Sequence, residues 1–222
     1  MKKFTEWFGI SRIPFDKDID SKSLFHYRQI EELHQKLELA LESRTGLLVT
    51  GQAGTGKTTG IRVYLDDLPP TEYRVIYLGY DQTGSSMFAR LAAEFGMKLT
   101  HSTSRMLQLT QYIKRHVSGS NKQLVLVIDE AHLLDWRTLE DIRLLTNSEM
   151  DRKSVVTLVL LGQLWLRTKL KSTGNEALYQ RMRFRYGLEG LTKKQTSEYI
   201  QQQLKLAGCA CRRFDKSADI WR

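Results

Sequence analysis

The segment GQAGTGKTT, residues 51–59, decides the fold. It matches G-x-x-x-x-G-K-[ST], in which glycines let backbone N–H groups surround a phosphate at the start of a helix. The apolar run GLLVTG precedes it and a helical pattern follows it, which is the context that this motif requires. Lys57 would bridge the β- and γ-phosphates, and the Thr58 hydroxyl would hold Mg²⁺. The pattern predicts a nucleotide site formed by Gly51, Gln52, Ala53, Gly54, Thr55, Gly56, Lys57, Thr58 and Thr59.

A second motif follows the apolar run at residues 124–128, which closes on Asp129 and Glu130. An aspartate at such a strand end contributes to the Mg²⁺ shell, and the neighbouring glutamate could orient and polarise the attacking water. The alternative is that the two acids cap a helix near Leu133. We favour the catalytic interpretation, because a carboxylate pair after a buried strand needs a cation or ordered water nearby. Hydrolysis is therefore predicted, rather than binding alone.

Apolar strands alternate with helical patterns along most of the chain. Besides the run before the phosphate loop, strands are predicted at residues 73–80, 123–130, 155–162 and 182–188. Helices are predicted at residues 28–43, 58–67, 85–95, 104–117, 136–150, 164–171 and 192–205. This alternation predicts an α/β fold with a mostly parallel five-stranded sheet covered on both faces, in three α/β/α layers. We expect this domain to span residues 1–190, followed by a partial helical lid at residues 191–222.

The composition is that of a soluble globular protein, with 41% hydrophobic and 27% charged residues. Since no run approaches about 18 apolar residues and the start lacks a secretory signal, we expect no transmembrane helix and no membrane partner. Cys209 and Cys211 predict two free thiols in a reducing, cytoplasmic setting. The net charge is +9, and residues 164–222 hold thirteen Lys and Arg against five Asp and Glu. The excess fits an anionic partner, either nucleic acid or an acidic protein surface, although a solvated face explains it equally well.

Two further candidate sites lie near the last two predicted strands: a glutamine after the first of these strands and three arginines at the second. Gln163 follows the strand at residues 155–162, where its amide could sense the γ-phosphate or the attacking water, with a plain loop glutamine as the equal alternative. Arg181, Arg183 and Arg185 alternate in YQRMRFRY, so within a strand all three would point to one face. Such a face suits solvent, phosphate or DNA rather than a core. An arginine here could stabilise transition-state charge at the nucleotide of a neighbouring subunit, which would require assembly.

With these parts in this order, the chain resembles an AAA+ ATPase of the additional-strand P-loop type. The segments FGISRIPFDKDI, VTGQAGTGKTTGIR, VLVIDEAHLLD, LVLLGQLWL and YQRMRFRYGLEGLTKKQTSEYIQQQLKLAG together resemble the ExeA-like family. That family includes small bacterial ATPases that accompany DDE transposases and are related to the transposition regulators Mu B and TnsC. It also includes the ATPase domain of the general-secretion protein ExeA. The resemblance covers residues 8–208.

The resemblance implies that the ligands are ATP and Mg²⁺. It places Lys57 and Thr58 at the phosphates and Mg²⁺, and Asp129 at Mg²⁺. It makes Glu130 the catalytic glutamate. The activity that it implies is hydrolysis of ATP to ADP and phosphate.

The resemblance also assigns residues outside the two main motifs. Gln163 falls at the sensor-1 strand end, and Arg181 is the first candidate for the arginine finger, with Arg183 next. Tyr27 falls in the segment that family members use near the adenine. The family continues into a longer helical lid that carries a sensor-2 arginine, and this sequence stops before such a segment. We therefore expect slow unaided turnover, and stable assembly with ATP.

From these features we expect an ATP-dependent, DNA-binding regulator of DNA transposition. It would assemble with ATP on duplex DNA as a homo-oligomer, a ring or a helical filament, recruit or activate a transposase, and release the DNA after hydrolysis. Candidate DNA contacts are Lys98, Arg105, Lys114 and Arg115, although a solvated helix face is the commoner explanation of any one of them. The alternative is the ATPase domain of an ExeA-like general-secretion assembly protein.

Overall fold

The chain divides into two compact units. The computed structural model describes residues 5–7, 9–16, 19–79, 87–97, 105–119, 122–146 and 156–208. The larger unit is Gln29–Glu189, and the smaller one combines Met1–Arg28 with Gly190–Arg222. Residues 1–28 group with the C-terminal segment rather than with the larger unit. The division into an ATPase domain at residues 1–190 and a partial helical lid at residues 191–222 stays a prediction.

A five-stranded parallel sheet forms the centre of the larger unit. Its strands are β1 Leu47–Thr50, β2 Tyr73–Leu78, β3 Gln123–Ile128, β4 Val156–Gly162 and β5 Phe184–Gly187. Their order across the sheet is β2-β3-β4-β1-β5, and every neighbouring pair is parallel. Strand β4 therefore separates the strand before the phosphate loop from the strand before Asp129. The predicted α/β fold with a mostly parallel five-stranded sheet is confirmed.

Helices precede, connect and follow these strands along the described part of the chain, and the last of them belongs to the smaller unit. They are α1 Arg28–Ser43, α2 Lys57–Asp66, α3 Met87–Glu94, α4 Arg105–Gly119, α5 Trp136–Leu145, α6 Trp165–Lys171, α7 Glu176–Arg181 and α8 Lys193–Leu206. Helix α7 was not predicted, and the far end of the predicted helix at residues 136–150 lies outside the described residues. None of the described helices is long and apolar enough to cross a membrane.

Burial explains why these segments take their secondary structure. The four apolar residues of α1 that recur at helical spacing are all at most 3% exposed: Ile30, Leu33, Leu37 and Leu41. All residues of β1 and β4 are buried, as expected for strands covered on both faces. Each fully buried leucine or isoleucine side chain contributes about 1.5–3 kcal/mol by leaving water. The buried sheet is therefore a rigid support for the loops that follow the carboxyl ends of its strands.

The smaller unit is held together by contacts of its described N-terminal residues with α8 and with Ala207, the residue after α8. The Ser11 backbone N–H donates to the Ala207 carbonyl at 2.8 Å, and the Gln202 side-chain amide donates to the Leu24 carbonyl at 3.2 Å. The rings of Phe25 and Tyr199 meet edge-on, with centroids 5.7 Å apart. Since these contacts join the two ends of the described chain, the N-terminal segment belongs with α8.

Candidate nucleotide-binding site

The phosphate loop joins β1 to α2 and has a backbone that requires glycine at three places. At Gly54 and Gly56 φ is +78° and +88°, in the left-handed region that other residues rarely adopt. At Gly51 a Cβ atom would lie 2.4 Å from the Leu188 carbonyl oxygen, so a side chain does not fit. The Gly51 N–H donates to the Gly162 carbonyl at 3.2 Å, which ties the start of the loop to the end of β4. The loop thus has the tight course that its sequence predicts.

The Lys57 side chain folds back onto the first residues of this loop. Its side chain is only 7% exposed, and its Nζ donates to the carbonyls of Gly51 at 3.0 Å and Gln52 at 2.7 Å. Burial lowers the pKa of Lys57, while the nearby charges of Glu130 and Asp129 act in the opposite direction. A phosphate is a stronger, charged acceptor than either carbonyl. The ammonium is therefore placed to exchange these two bonds for phosphate contacts.

Thr58 and Asp129 meet across the sheet edge, although their parent strands are not neighbours. The Thr58 hydroxyl donates to Asp129 Oδ2 at 2.7 Å. A hydroxyl oxygen and a carboxylate oxygen this close together are ligands that suit Mg²⁺. In such sites Mg²⁺ takes one or two oxygens from the protein and completes its coordination with phosphate oxygens and water. No group of three or more His, Cys, Asp or Glu that could hold a metal occurs among the described residues. The residues present fit a nucleotide-bound Mg²⁺.

Glu130 follows Asp129 in a strained backbone conformation. Its φ is +52°, and its N–H donates to Asp129 Oδ1 at 2.7 Å. A left-handed residue other than glycine costs about 1–2 kcal/mol, a strain that is concentrated at functional sites. Glu130 precedes the short 3-10 turn Ala131–Leu133 but makes no side-chain capping bond to it. Its side chain is 48% exposed, so the carboxylate remains accessible to a water molecule. Glu130 therefore does not have the helix-capping role that the sequence left as an alternative.

His132 is a residue of this site that the sequence did not identify. The residue is 3% exposed, and its ring lies edge-on to Trp165 with centroids 5.0 Å apart. Its Nδ1 is 3.2 Å from Glu130 Oε2 and accepts the Gln163 backbone N–H at 3.4 Å. The histidine three residues after Asp129 is visible in the sequence, but the sequence does not show its contacts. These contacts are made with residues that follow β4, so they depend on the position of β4 in the sheet.

Gln163 lies where the sequence placed it, directly after β4, and its side chain is exposed. The contact that the structure shows is made by its backbone N–H, to His132. This places Gln163 beside the loop that carries Glu130. Its role in sensing the γ-phosphate stays a prediction.

Lys169, on α6, fixes the loop that follows Glu130. Its Nζ donates to the His132 carbonyl at 3.0 Å and to the Leu134 carbonyl at a shorter distance. Burial lowers the pKa of Lys169, and the Asp135 carboxylate opposes this effect. A single ammonium therefore holds two carbonyls of the loop against α6.

The three arginines of YQRMRFRY do not share one face of a strand, and that part of the prediction was wrong. Arg181 ends α7 and donates to the Arg143 carbonyl at 3.0 Å and the Thr146 hydroxyl at 3.2 Å. Only Arg185 lies in β5, where it donates to the Tyr179 carbonyl at 2.9 Å. Arg183 lies between the two elements and is exposed. The alternating pattern failed because a short helix ends inside it, with Arg181 positioned by the end of α5.

The remaining predicted contacts are distributed over the chain. Tyr27 belongs to the smaller unit, stacks on Phe25 with centroids 5.6 Å apart, and has a pKa raised by burial. Of the predicted DNA contacts, Lys114 is half-buried and Arg115 is exposed, both on α4. Lys98 and the Arg105 side chain lie outside the described residues. The roles given to these residues stay predictions.

The fold and the site together define a class of protein. A family model described as "AAA domain" matches residues 40–170, which is more than half of the 222 residues. The chain belongs to this family.

A curated relative narrows the comparison. The chain is 34% identical over 211 residues to general secretion pathway protein A of Aeromonas hydrophila. The alignment covers 93% of this chain and 38% of that relative, so the chain spans well under half of the relative's length. This similarity supports an AAA+ protein of the ExeA-like family.

Solved structures share the fold at low sequence identity. The ORC2 protein of Aeropyrum pernix, in ADPNP–ADP complexes, matches with a TM-score of 0.64 and 14% identity, over 88% of this chain and 54% of that one. Cdc6p from Pyrobaculum aerophilum matches with a TM-score of 0.62 and 17% identity, over 84% of this chain and 54% of that one. At these identities the matches establish the fold alone.

Proposed function

We propose that this chain hydrolyses ATP in a Mg²⁺-dependent reaction and acts as the nucleotide-driven module of a general-secretion assembly protein. The observation that carries the ATPase proposal is the bond of 2.7 Å between Thr58 and Asp129, with Glu130 next in the chain. It joins the phosphate loop to the predicted metal and water-orienting carboxylates. That combination serves phosphoryl transfer, which depends on positioning and charge stabilisation.

Each of the site residues has a separate task in this proposal. The loop N–H groups and Lys57 bind the phosphates, and Lys57 does so after leaving the carbonyls of Gly51 and Gln52. Thr58 and Asp129 would hold Mg²⁺, which when bound neutralises charge on the β- and γ-phosphates. The Glu130 carboxylate orients the attacking water and accepts its proton as the water oxygen bonds to the γ-phosphorus. The bond from that phosphorus to the β–γ bridging oxygen breaks, and ADP leaves.

Assembly of several copies is a second part of the proposal, supported by the arginines near β5. Arg183 is exposed, whereas Arg181 would have to exchange its bonds to Arg143 and Thr146 for a neighbour's phosphate. An arginine supplied by another subunit stabilises transition-state charge in related chemistry. We infer a homo-oligomer in which nucleotide binding and subunit contact are linked.

The relative's name favours the secretion role over transposition. The alignment with general secretion pathway protein A extends over 93% of this chain, whereas neither the family model nor this relative's name supports a transposase partner. The DNA-binding proposal rests on the basic charge, the predicted contacts, the candidate arginine finger and the resemblance to transposition regulators. We therefore place the secretion role first, and DNA enters as an arm of the test.

The ATPase proposal is tested by phosphate release from the wild type and from Glu130→Gln. We expect Mg²⁺-dependent turnover in the wild type, and a loss of about 100-fold or more in the variant, because a positioned general base contributes about 10²–10⁴-fold. ATP affinity should stay within about twofold. Glu176→Gln, a change at an exposed glutamate of α7, is the matched control and should turn over normally. Absence of ATP binding, or normal turnover in Glu130→Gln, would contradict the proposal.

The biological role is tested by sizing the protein with a non-hydrolysable ATP analogue, with and without duplex DNA. Assembly with the analogue alone fits a secretion module that needs no nucleic acid. Assembly that requires DNA and falls steeply with salt would favour the transposition role instead. In that event Lys114→Ala and Arg115→Ala test the predicted contacts on α4.

A further inference from the structure

We propose that the exposed side of α6, together with Tyr179 and Arg185, binds an acidic segment of a partner protein in which an apolar side chain stands beside the carboxylates. We call this the α6 surface. It consists of Leu164, Trp165, Arg167, Lys171, Tyr179 and Arg185. The inference goes beyond the proposed ATPase function and does not depend on it, because none of these residues has a task in the proposed reaction.

One part of the α6 surface is apolar. Leu164 directly precedes the helix and is 55% exposed, and Trp165, its first residue, is 47% exposed. The other two leucines of this segment, Leu166 and Leu170, are buried and hold the helix on the core. Since burial of the exposed leucine would remove apolar area from water, an apolar side chain of a partner is stabilised against it.

The other part of the α6 surface is a cluster of cations around one tyrosine ring. The guanidinium carbon of Arg185 lies 4.0 Å from the centre of the Tyr179 ring, and Lys171 Nζ lies 5.6 Å from it. Arg185 also donates to the Tyr179 carbonyl at 2.9 Å, which holds its guanidinium in the cluster. These two charges are therefore within about 10 Å of each other, the Debye length at about 0.1 M salt, so salt does not screen them fully.

Arg167 completes this cluster. Burial raises the pKa of the Tyr179 hydroxyl, but the Arg167 guanidinium beside it and the charges of Arg185 and Lys171 together lower the pKa by more. The hydroxyl is thus surrounded by positive charge. A group that carries negative charge would be stabilised at the same place.

The described part of the chain supplies no counter-charge to this cluster. Residues 164–185 hold six Lys and Arg against one Glu and no Asp. None of the three cations forms an ion pair with an acidic residue that the structure describes. Arg143, by contrast, has Glu140 as a bidentate partner at 2.6 Å and 2.8 Å. Carboxylates from outside would relieve the repulsion among the three cations and accept charge-assisted hydrogen bonds from them.

The aromatic rings favour a protein segment over nucleic acid as the occupant. Single-stranded nucleic acid binds by stacking its bases on aromatic rings. Here the Tyr179 ring already contacts Arg185 and Lys171, and Lys169 Nζ lies 5.2 Å from the centre of the Trp165 ring. Duplex DNA presents phosphates but little apolar surface to Leu164. Tryptophan, tyrosine and arginine are also the residues that contribute most at the centres of protein interfaces.

The charge part of the proposal is tested by calorimetric titration with a short synthetic peptide of glutamates around one leucine, at about 0.1 M salt. The double variant Arg167→Glu with Lys171→Glu should bind this peptide about tenfold or more weakly, because repulsion replaces attraction at two exposed sites. The matched control is Lys193→Glu with Lys194→Glu, which makes the same change of charge at exposed residues of α8 in the smaller unit. The control should bind within about twofold of the wild type. Equal weakening in both double variants would overturn the proposal, and so would an acidic peptide that does not bind the wild type.

The apolar part is tested by pairing Leu164→Ser with a peptide in which serine replaces the leucine. Each change alone should weaken binding about fivefold, and both together little more than either alone, because they remove the same contact. Independent, multiplying effects would refute that contact, and this comparison needs no change of charge. Duplex DNA and phosphatidylglycerol vesicles are the competing probes. If either bound more tightly than the peptide and lost that binding in Arg167→Glu with Lys171→Glu, the surface would be a nucleic-acid or membrane site and the proposal would fall. All titrations are made without ATP, so failure of the ATPase proposal would leave their outcome unchanged.

Discussion

Lys169 should be the residue outside the phosphate loop whose removal most disturbs the loop carrying Glu130. In Lys169→Met the aliphatic stem is retained, but two hydrogen bonds to the carbonyls of His132 and Leu134 are lost. A hydrogen bond to a charged group contributes about 1.5–3 kcal/mol, so the gross loss is about 3–6 kcal/mol. Relief of the buried ammonium, which burial already disfavours, offsets part of this. We expect a net loss of about 2–4 kcal/mol in the free energy of unfolding.

Urea unfolding followed by circular dichroism measures this loss as a lower midpoint at an unchanged slope. Lys171→Met is the matched control, because it removes an exposed lysine from the same helix whose Nζ lies 5.6 Å from the centre of the Tyr179 ring. An exposed contact of this kind contributes about 0.5–1 kcal/mol. Equal losses in the two variants would refute the view that Lys169 anchors the loop. A changed slope in Lys169→Met would instead show a change in the compactness of the denatured or folded state, or a loss of two-state unfolding.

Two further changes test the phosphate loop and α5. Gly51→Ala places a Cβ atom 2.4 Å from the Leu188 carbonyl oxygen, so we expect a loss of about 1–3 kcal/mol in the free energy of unfolding in urea, and weaker ATP binding in titrations. In the control Gly187→Ala, the Cβ would meet no described atom within 4 Å, so neither quantity should change. A similar loss in that control would contradict the steric argument. Asp135 caps α5 by accepting the Thr138 N–H at 2.7 Å, so Asp135→Ala should cost about 1 kcal/mol at neutral pH. This bond lowers the pKa of Asp135 in the folded chain, so its stabilisation is present above pH 3.8, the ordinary pKa, and is lost as the pH falls below that value. The difference in thermal midpoint between the wild type and Asp135→Ala should therefore disappear at acid pH. A difference that stays constant with pH would refute the assignment.

The features that the sequence predicted correctly are those set by local patterns. Helix α1 has the predicted bounds, because its leucines and isoleucine recur at helical spacing over sixteen residues. The position of the phosphate loop between β1 and α2 followed from its own glycines, and the position of Asp129 at the end of β3 followed from the buried strand before it. The pairing of Thr58 with Asp129 also follows from the pattern, since the carboxyl ends of parallel strands meet at one edge of a sheet. Periodicity and motif spacing contain all of this information.

The features that it missed depend on contacts distant in the sequence. Helix α7 has only six residues, too few for periodicity to separate it from the alternating pattern of Arg181 and Arg185. The bonds of Arg181 go to the end of α5, which lies more than thirty residues away. His132 likewise receives Gln163 from a strand that the chain reaches only later. No window of sequence shows such partners, because they are fixed by the order of the strands.

The position of β4 is the part of the fold that makes the site one unit. Its last residue pairs in register with Thr50 of β1, its carbonyl accepts the Gly51 N–H, and its α-carbon faces His132. If β1 and β3 were adjacent, the phosphate loop and Glu130 could still share a metal ion, but no strand end would contact both loops. With β4 between them, the phosphate loop and the loop of Glu130 both contact the end of β4 at Gly162. Even the smallest side chain at Gly162 would press on both Leu166 and His132, so the absence of a side chain there lets this connection be direct.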